Sequence, residues 1–223
     1  MIPYRGHTII GIIALAAFVY AGEQLRGTSF AESHGAVPSI IVQAFQELSR
    51  GNFSLDAIQS LTRLVTPLFL HGDVEHIALN MVFLWAFGYL TARILGPWWA
   101  VGVFIFCGVC GNILQVWLNP ASTIPIIGAS GAVCGFEGVY LGLALRWNLP
   151  WPDVWPLAHP IPPLQLGAFA VVGFLIDVVM VANQGQQIAY GAHIGGFLSG
   201  LAVAAIVTLI YPAAASWQQP HRR

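Results

Sequence analysis

Apolar residues gather into six runs along the chain, at 8–22, 75–95, 98–118, 128–146, 164–181 and 190–211, separated by polar segments. A helix needs about 20 mostly apolar residues to cross a bilayer, and each run meets or approaches that length. The longest polar segment, 23–74, holds two shorter patterns with helical period. Pro38 opens the first, with Ile40, Ile41, Ala44, Phe45 and Leu48 on one side and Gly51 at its end. Ser54 can cap the second, whose apolar side is Leu55, Ile58, Leu61 and Val65. Short helices of this kind lie on a membrane or over the tops of spans. The pattern predicts an all-α integral membrane protein with one domain over 1–223, built from six transmembrane helices with amphipathic helices in a long first loop.

Composition sharpens this picture. Of the 223 residues 57% are hydrophobic and 8% charged, where a soluble domain carries roughly a quarter charged. The partner implied is the lipid bilayer. Lysine is absent and the arginines are scattered, so no basic patch suits a nucleic acid. The three cysteines, Cys107, Cys110 and Cys134, lie inside apolar runs and form no disulfide framework. The Cys107–Cys110 spacing reads as packing on an apolar helix, not as a metal or redox pair. No cofactor and no metal are expected.

Arginine placement sets the orientation. Arg5, Arg93, Arg146, Arg222 and Arg223 fall on one side if the runs alternate, and the long segment puts Arg26, Arg50 and Arg63 on the other. Counted over short loops and span ends, this asymmetry places both termini in the cytoplasm. Trp98, Trp99, Trp147, Trp151 and Trp155 then form an aromatic belt on that side. The first run, with Arg5 before it and Val19-Tyr20-Ala21 near its end, fits a cleavable signal peptide as well as a span.

Ionisable groups within the runs are functional candidates because each is costly in hydrocarbon. They are His76, Glu137, Asp177 and His193, with His71 and Asp73 just before the second run. Ser130 joins them for its depth. From Ser130 to Arg146 is about 24 Å of helix; with Arg146 at the edge of a core about 30 Å thick, Ser130 lies roughly 6 Å inside the far surface. His193 stands about 28 Å above Pro212 and shares that level. Gly131, Gly135, Gly138 and Gly142 make a stripe beside Ser130, and Gly196 and Gly200 a second one below His193. Such stripes let membrane helices approach closely. If they face one another, serine meets histidine, and a serine beside a histidine base is an activated nucleophile. A serine that only bonds its own helix, glycines that only pack, and a histidine in a proton relay or on a haem are the alternatives.

The stretch HGDVEHIALNM adds His76 and Asn80, which point the same way from consecutive helical turns. Together with the backbone N–H of Ser130 they have the makeup of an oxyanion hole. The same stretch offers a rival metal set of His71, Asp73, Glu75 and His76, without the spacing of a zinc protease.

HGDVEHIALNM, IGASGAVCG and YGAHIGGFLSG, in that order on the second, fourth and sixth runs, resemble the signature of the rhomboid intramembrane serine proteases. The resemblance covers about residues 5–212 and implies a six-span rhomboid-like bundle in which the first run is a span. It implies Ser130 as nucleophile and His193 as base in a dyad without an acidic third member, with His76 and Asn80 as oxyanion donors and His71 bracing the first loop. Gly128 and Gly131 would leave room for a substrate carbonyl, and Gly196 and Gly200 for the helix contact. The implied substrates are transmembrane segments of other proteins; sideways entry past the fifth run, 164–181, and the loop 184–187 is expected because that loop is polar and carries Gly185. The compact chain suits a bacterial inner membrane.

Two positions depart from the family pattern. Thr62 stands where a tryptophan often precedes the conserved arginine, here Arg63; Cys134 replaces the aromatic residue on which the histidine often stacks, which would loosen His193. Glu137, about 10 Å deeper than Ser130, is too far to serve as an acid for the pair; it and Asp177 are expected to be protonated or bonded to buried water. Two other classes remain: a non-catalytic relative that escorts membrane segments, and a small proton-coupled transporter using Glu137, Asp177 and His193. The first would typically lack the serine or histidine, and the second would show internal repeats.

Overall fold

The computed structural model describes residues 6–26, 30–152, 160–183 and 188–211. Arg5, Trp155, Pro212, Arg222, Arg223 and the loop 184–187 lie outside them. The chain begins with α1 (His7–Arg26), four residues longer at its end than the apolar run. The extension exists because Glu23 is turned inward and buried, and its Oε1 accepts the Phe30 N–H at 2.7 Å, catching the chain as it folds back. Ile9, Ala16 and Glu23 are the buried positions of α1. Their seven-residue spacing is one narrow stripe, so the rest of the helix faces outward.

The first loop carries α2 (Ala31–His34), α3 (Pro38–Ser49) and α4 (Leu55–Thr62). Pro38 sits in the first turn of α3, and Gly51 takes φ +79° just beyond its end. Ser54 caps α4 by accepting the Ala57 N–H at 3.1 Å. The inward faces differ from the expected ones. Ile41 and Ala44 point in while Ile40 and Phe45 are exposed; on α4 Ala57 points in while Leu55 and Ile58 are exposed. The small Ala44 and Ala57 are buried where the two helices pack, and the bulkier side chains are left outward. An antiparallel bridge pairs Ala36 with Ile126 and ties this loop to the segment entering the fourth run.

After a short 3-10 turn at Thr66–Phe69, α5 (Val74–Phe83) continues through a π turn at Leu84–Gly88 into α6 (Tyr89–Leu95). The π turn was not legible in the apolar pattern. It inserts extra rotation into the span between the buried Asn80 on α5 and the buried Leu90, Thr91 and Ala92 on α6. Gly96, at φ +106°, breaks the chain before α7 (Pro97–Leu118). Then follow α8 (Ser130–Ala144), α9 (Pro163–Ala182) and α10 (Tyr190–Ile210).

Among the described residues, five helical stretches are long and apolar enough to cross a membrane: α1, Val74–Leu95, α7, α9 and α10. The fourth run does not join them by length. With 15 residues α8 rises about 22 Å, short of a hydrocarbon core of about 30 Å. Eleven of its 15 residues are buried, so it is the hub around which α7, α9 and α10 are arranged.

Candidate active site

Glycine brings α8 and α10 into backbone contact. A Cβ on Gly196 would collide with the carbonyl oxygen of Gly131, and one on Gly200 with that of Gly135; one on Gly138 would collide with the carbonyl of Phe197. Near the start of both helices a Cβ on Gly131 would lie 3.1 Å from the Ala192 oxygen. Gly131 follows Ser130 and Ala192 precedes His193, so the serine and the histidine arise from touching backbones. Both side chains are half-buried. Among the described residues no hydrogen bond joins them; the Nδ1 of His193 is instead 3.1 Å from Oδ1 of Asp177 on α9.

The second span delivers His76 to the same place. Gly128, with φ +112°, adopts a backbone conformation that L side chains rarely take. A Cβ there would fall 2.6 Å from His76 Nε2 and 3.7 Å from Ser130 Oγ. The imidazole and the hydroxyl therefore converge over a bare backbone. Asp73 starts α5 by accepting the His76 N–H at 2.7 Å, and the His76 Nδ1 accepts the Gly72 N–H at 3.4 Å. That bond leaves the ring proton on Nε2, the nitrogen that faces Gly128. Asn80 is buried and its Nδ2 donates to the His76 carbonyl at 2.8 Å, which uses one of its two N–H groups.

His71 packs edge-on to His76, with ring centroids 5.1 Å apart, and is itself buried. Its Nε2 accepts the Ala129 N–H over a long 3.5 Å. Gly128 in turn donates its N–H to the Pro67 carbonyl at 2.9 Å. The first loop thus holds the two residues ahead of Ser130. Burial first, then the charge of nearby His76, lowers the His71 pKa to about 4, which keeps the ring neutral and its acceptor nitrogen available.

The rival metal set does not assemble, since Asp73 is engaged as a helix cap and Glu75 is exposed. A different group does come together. Cys134 Sγ, an Asp177 carboxylate oxygen and a His193 ring nitrogen lie within 4.8 Å of one another. Asp177 thus meets the His193 ring, a contact that the expectation of protonation or buried water did not include. The signal in the sequence was a carboxylate near the end of an otherwise apolar run; what it could not carry was the rotation of α9 that aims it at His193. Arg63 lies in the first loop and donates to the Glu32 carbonyl at 3.2 Å, joining α4 to α2 although Thr62 precedes it.

What the arrangement offers chemically is a hydroxyl at a helix start, an imidazole on the adjoining helix, and a second imidazole with a proton directed at the space between. The free N–H groups of the first turn of α8 and its positive dipole end open on the same space.

A family model described as the Rhomboid domain matches residues 59–210 of the chain. Rhomboid protease GluP of Bacillus subtilis is 28% identical over 152 residues, covering 66% of this chain and 26% of the relative. Rhomboid protein 1, mitochondrial, of Saccharomyces cerevisiae is 27% identical over 154 residues, covering 66% and 42%. Rhomboid-like protease 3 of Toxoplasma gondii is 28% identical over 143 residues, covering 64% and 50%. The chain spans from about a quarter to a half of the length of these relatives. Bacterial and mitochondrial proteins stand side by side among them, so the likeness extends beyond the bacterial inner membrane expected from the sequence.

Proposed function

The chain belongs to the rhomboid family, and from that premise we propose that it is a serine endopeptidase cutting transmembrane segments of other proteins, with Ser130 as nucleophile and His193 as base. The observation that supports the reading is the close approach of Gly131 to Ala192, the neighbours in sequence of Ser130 and His193. Relatives named as proteases from a bacterium and a parasite support the same class of reaction. An escort protein needs neither group, and this chain has both.

In the first half-reaction the Ser130 oxygen attacks the substrate carbonyl carbon, and its proton passes to Nε2 of His193. The negative oxygen of the tetrahedral intermediate is received by the Ser130 N–H, the Nε2–H of His76 and the spare N–H of Asn80. His193 then gives the proton to the leaving amide nitrogen as the C–N bond breaks, leaving an acyl-serine. Water repeats the sequence: it loses a proton to His193, its oxygen bonds the acyl carbon, and the proton returns to Ser130 as the ester bond breaks. Gly128 and Gly131 keep the approach to the carbonyl open, while Gly196 and Gly200 set the depth of His193 beside α8.

In this reading α8 is the fourth of six spans in a single rhomboid-like bundle over 1–223. It lies surrounded by the others and reaches only part of the way to the outer surface, the side away from Arg93 and Arg146. Both termini are then cytoplasmic. A carbonyl inside an intact helix is engaged and wrapped in side chains, so the substrate enters sideways past α9 and unwinds near Gly, Pro or Ser residues, with a small residue before the cut. The test is labelling of the purified protein with a fluorophosphonate. Attachment at Ser130, lost in Ser130→Ala and strongly reduced in His193→Ala, is expected. Labelling of Ser130→Ala at the wild-type level overturns the assignment.

A further inference from the structure

We propose that Asp177 is a positioning residue for His193, so that the site is a serine–histidine–aspartate triad where the family resemblance implies a dyad. The inference rests on the protease reading above and adds a residue to it. Three features of the geometry carry it.

The first is which nitrogen is paired. Asp177 meets Nδ1 of His193 at 3.1 Å, with side chains 14% and 17% exposed. A carboxylate acting as an acceptor would place the proton on Nδ1 and leave the lone pair on Nε2. That tautomer is the one a base must have to take a proton from serine at its other nitrogen. A carboxylate on Nε2 would instead occupy the catalytic nitrogen.

The second is level. Asp177 lies five residues before the end of α9 and His193 three residues after the start of α10. The carboxylate therefore reaches the ring from the neighbouring helix at the end of the bundle where α8 begins with Ser130.

The third is what else holds the ring. Cys134, one turn along α8 from Ser130, offers a thiol where a ring would give a stacking surface. Tyr190 touches His193 only edge-on, at 6.1 Å between centroids. The carboxylate is the polar contact that fixes the imidazole among the described residues. Asp177 supplies by hydrogen bonding the orientation that Cys134 does not supply by stacking, and its charge stabilises the imidazolium formed when Ser130 gives up its proton. In this scheme no second proton moves, and the Nδ1 proton stays on the ring.

The experiment uses the full chain in detergent with a single-span substrate and the fluorophosphonate. Asp177→Asn keeps the shape and an accepting oxygen but loses the charge, and Asp177→Glu keeps the charge. We expect Asp177→Asn to lower kcat by about 10²–10⁴-fold with KM changed less than about threefold, and to slow labelling of Ser130 in parallel. Asp177→Glu recovers part of the loss. The ¹⁵N resonances of His193 in wild-type protein report a proton on Nδ1, and in Asp177→Asn they shift towards the Nε2-protonated form. Wild-type kcat and labelling in Asp177→Asn overturn the triad and leave the protease reading standing, as does a wild-type His193 protonated on Nε2. Wild-type protein that neither labels nor cleaves overturns both. If Asp177→Asn does not fold, the wild-type tautomer and the partial activity of Asp177→Glu decide.

Discussion

Gly196 rests directly on the carbonyl oxygen of Gly131, with no room for even a methyl group between α10 and α8. Neither partner can give way as a flexible side chain would, because both surfaces are backbone. Gly196→Ala should therefore separate the helices close to the ends that carry Ser130 and His193. We expect a cost of about 1–3 kcal/mol, read as a lowered melting temperature, with activity lost out of proportion. Gly102 and Gly173 have nothing within 4 Å of a Cβ, and alanine there should leave both properties near wild type. Equal tolerance at Gly196 and Gly173 would contradict the seam.

Asn80→Ala tests the oxyanion role. Removing one such donor typically costs about 10²–10³ in rate. The bond its side chain makes in the structure runs to its own helix, to the His76 carbonyl, so the melting temperature should fall by only a few degrees. A large stability loss with turnover unchanged in the folded fraction would make Asn80 structural.

His71 gives a pH signature. Its pKa falls from 6.5 unfolded to about 4 in the folded protein, so between these values the unfolded chain binds a proton that the folded one does not. Stability should thus decrease as pH is lowered from about 6.5 to about 4, by no more than about 3 kcal/mol from this group. His71→Asn retains an acceptor for the Ala129 N–H but cannot titrate. Its melting temperature should depend less on pH across that window; an unchanged slope would remove His71 as the cause.

Cys134→Phe distinguishes two ways of holding the base. From the sequence, a ring at this position looks like an improvement, since it restores a stacking surface. In the structure the Cys134 sulfur is already within 4.8 Å of both Asp177 and His193, and a phenyl group would have to displace one of them. We expect reduced kcat in Cys134→Phe and near-normal activity in Cys134→Ala, measured on the same substrate.

Much of the site was legible because it depends on local spacing. The glycines at intervals of three and four predicted a close seam, and the span ends predicted that Ser130 and His193 share a level. Ser54 and Pro38 announced the starts of the loop helices through capping chemistry that acts within one turn. What the sequence did not disclose depends on rotation of one element against another. The exposed Leu55 and buried Ala57 reverse the apolar side expected of α4, because close approach favoured the smaller residue. The π turn at Leu84–Gly88 leaves no mark in an apolar run that is uniform throughout. The pairing of Asp177 with His193 needs the azimuth of α9, which an almost wholly apolar helix does not encode.

The helix that carries Asp177 has little protein around it: only 17% of the membrane-crossing window of α9 is buried, whereas α8 is enclosed. A 20-residue helix is about 30 Å long and matches an average hydrocarbon core, so a thicker or thinner bilayer obliges it to tilt or the lipid to deform. Tilt moves the ends of a helix most, and Asp177 stands near an end. If the proposed triad holds, hydrophobic mismatch at the rim of the molecule reaches the imidazole through Asp177, and turnover should vary with acyl-chain length.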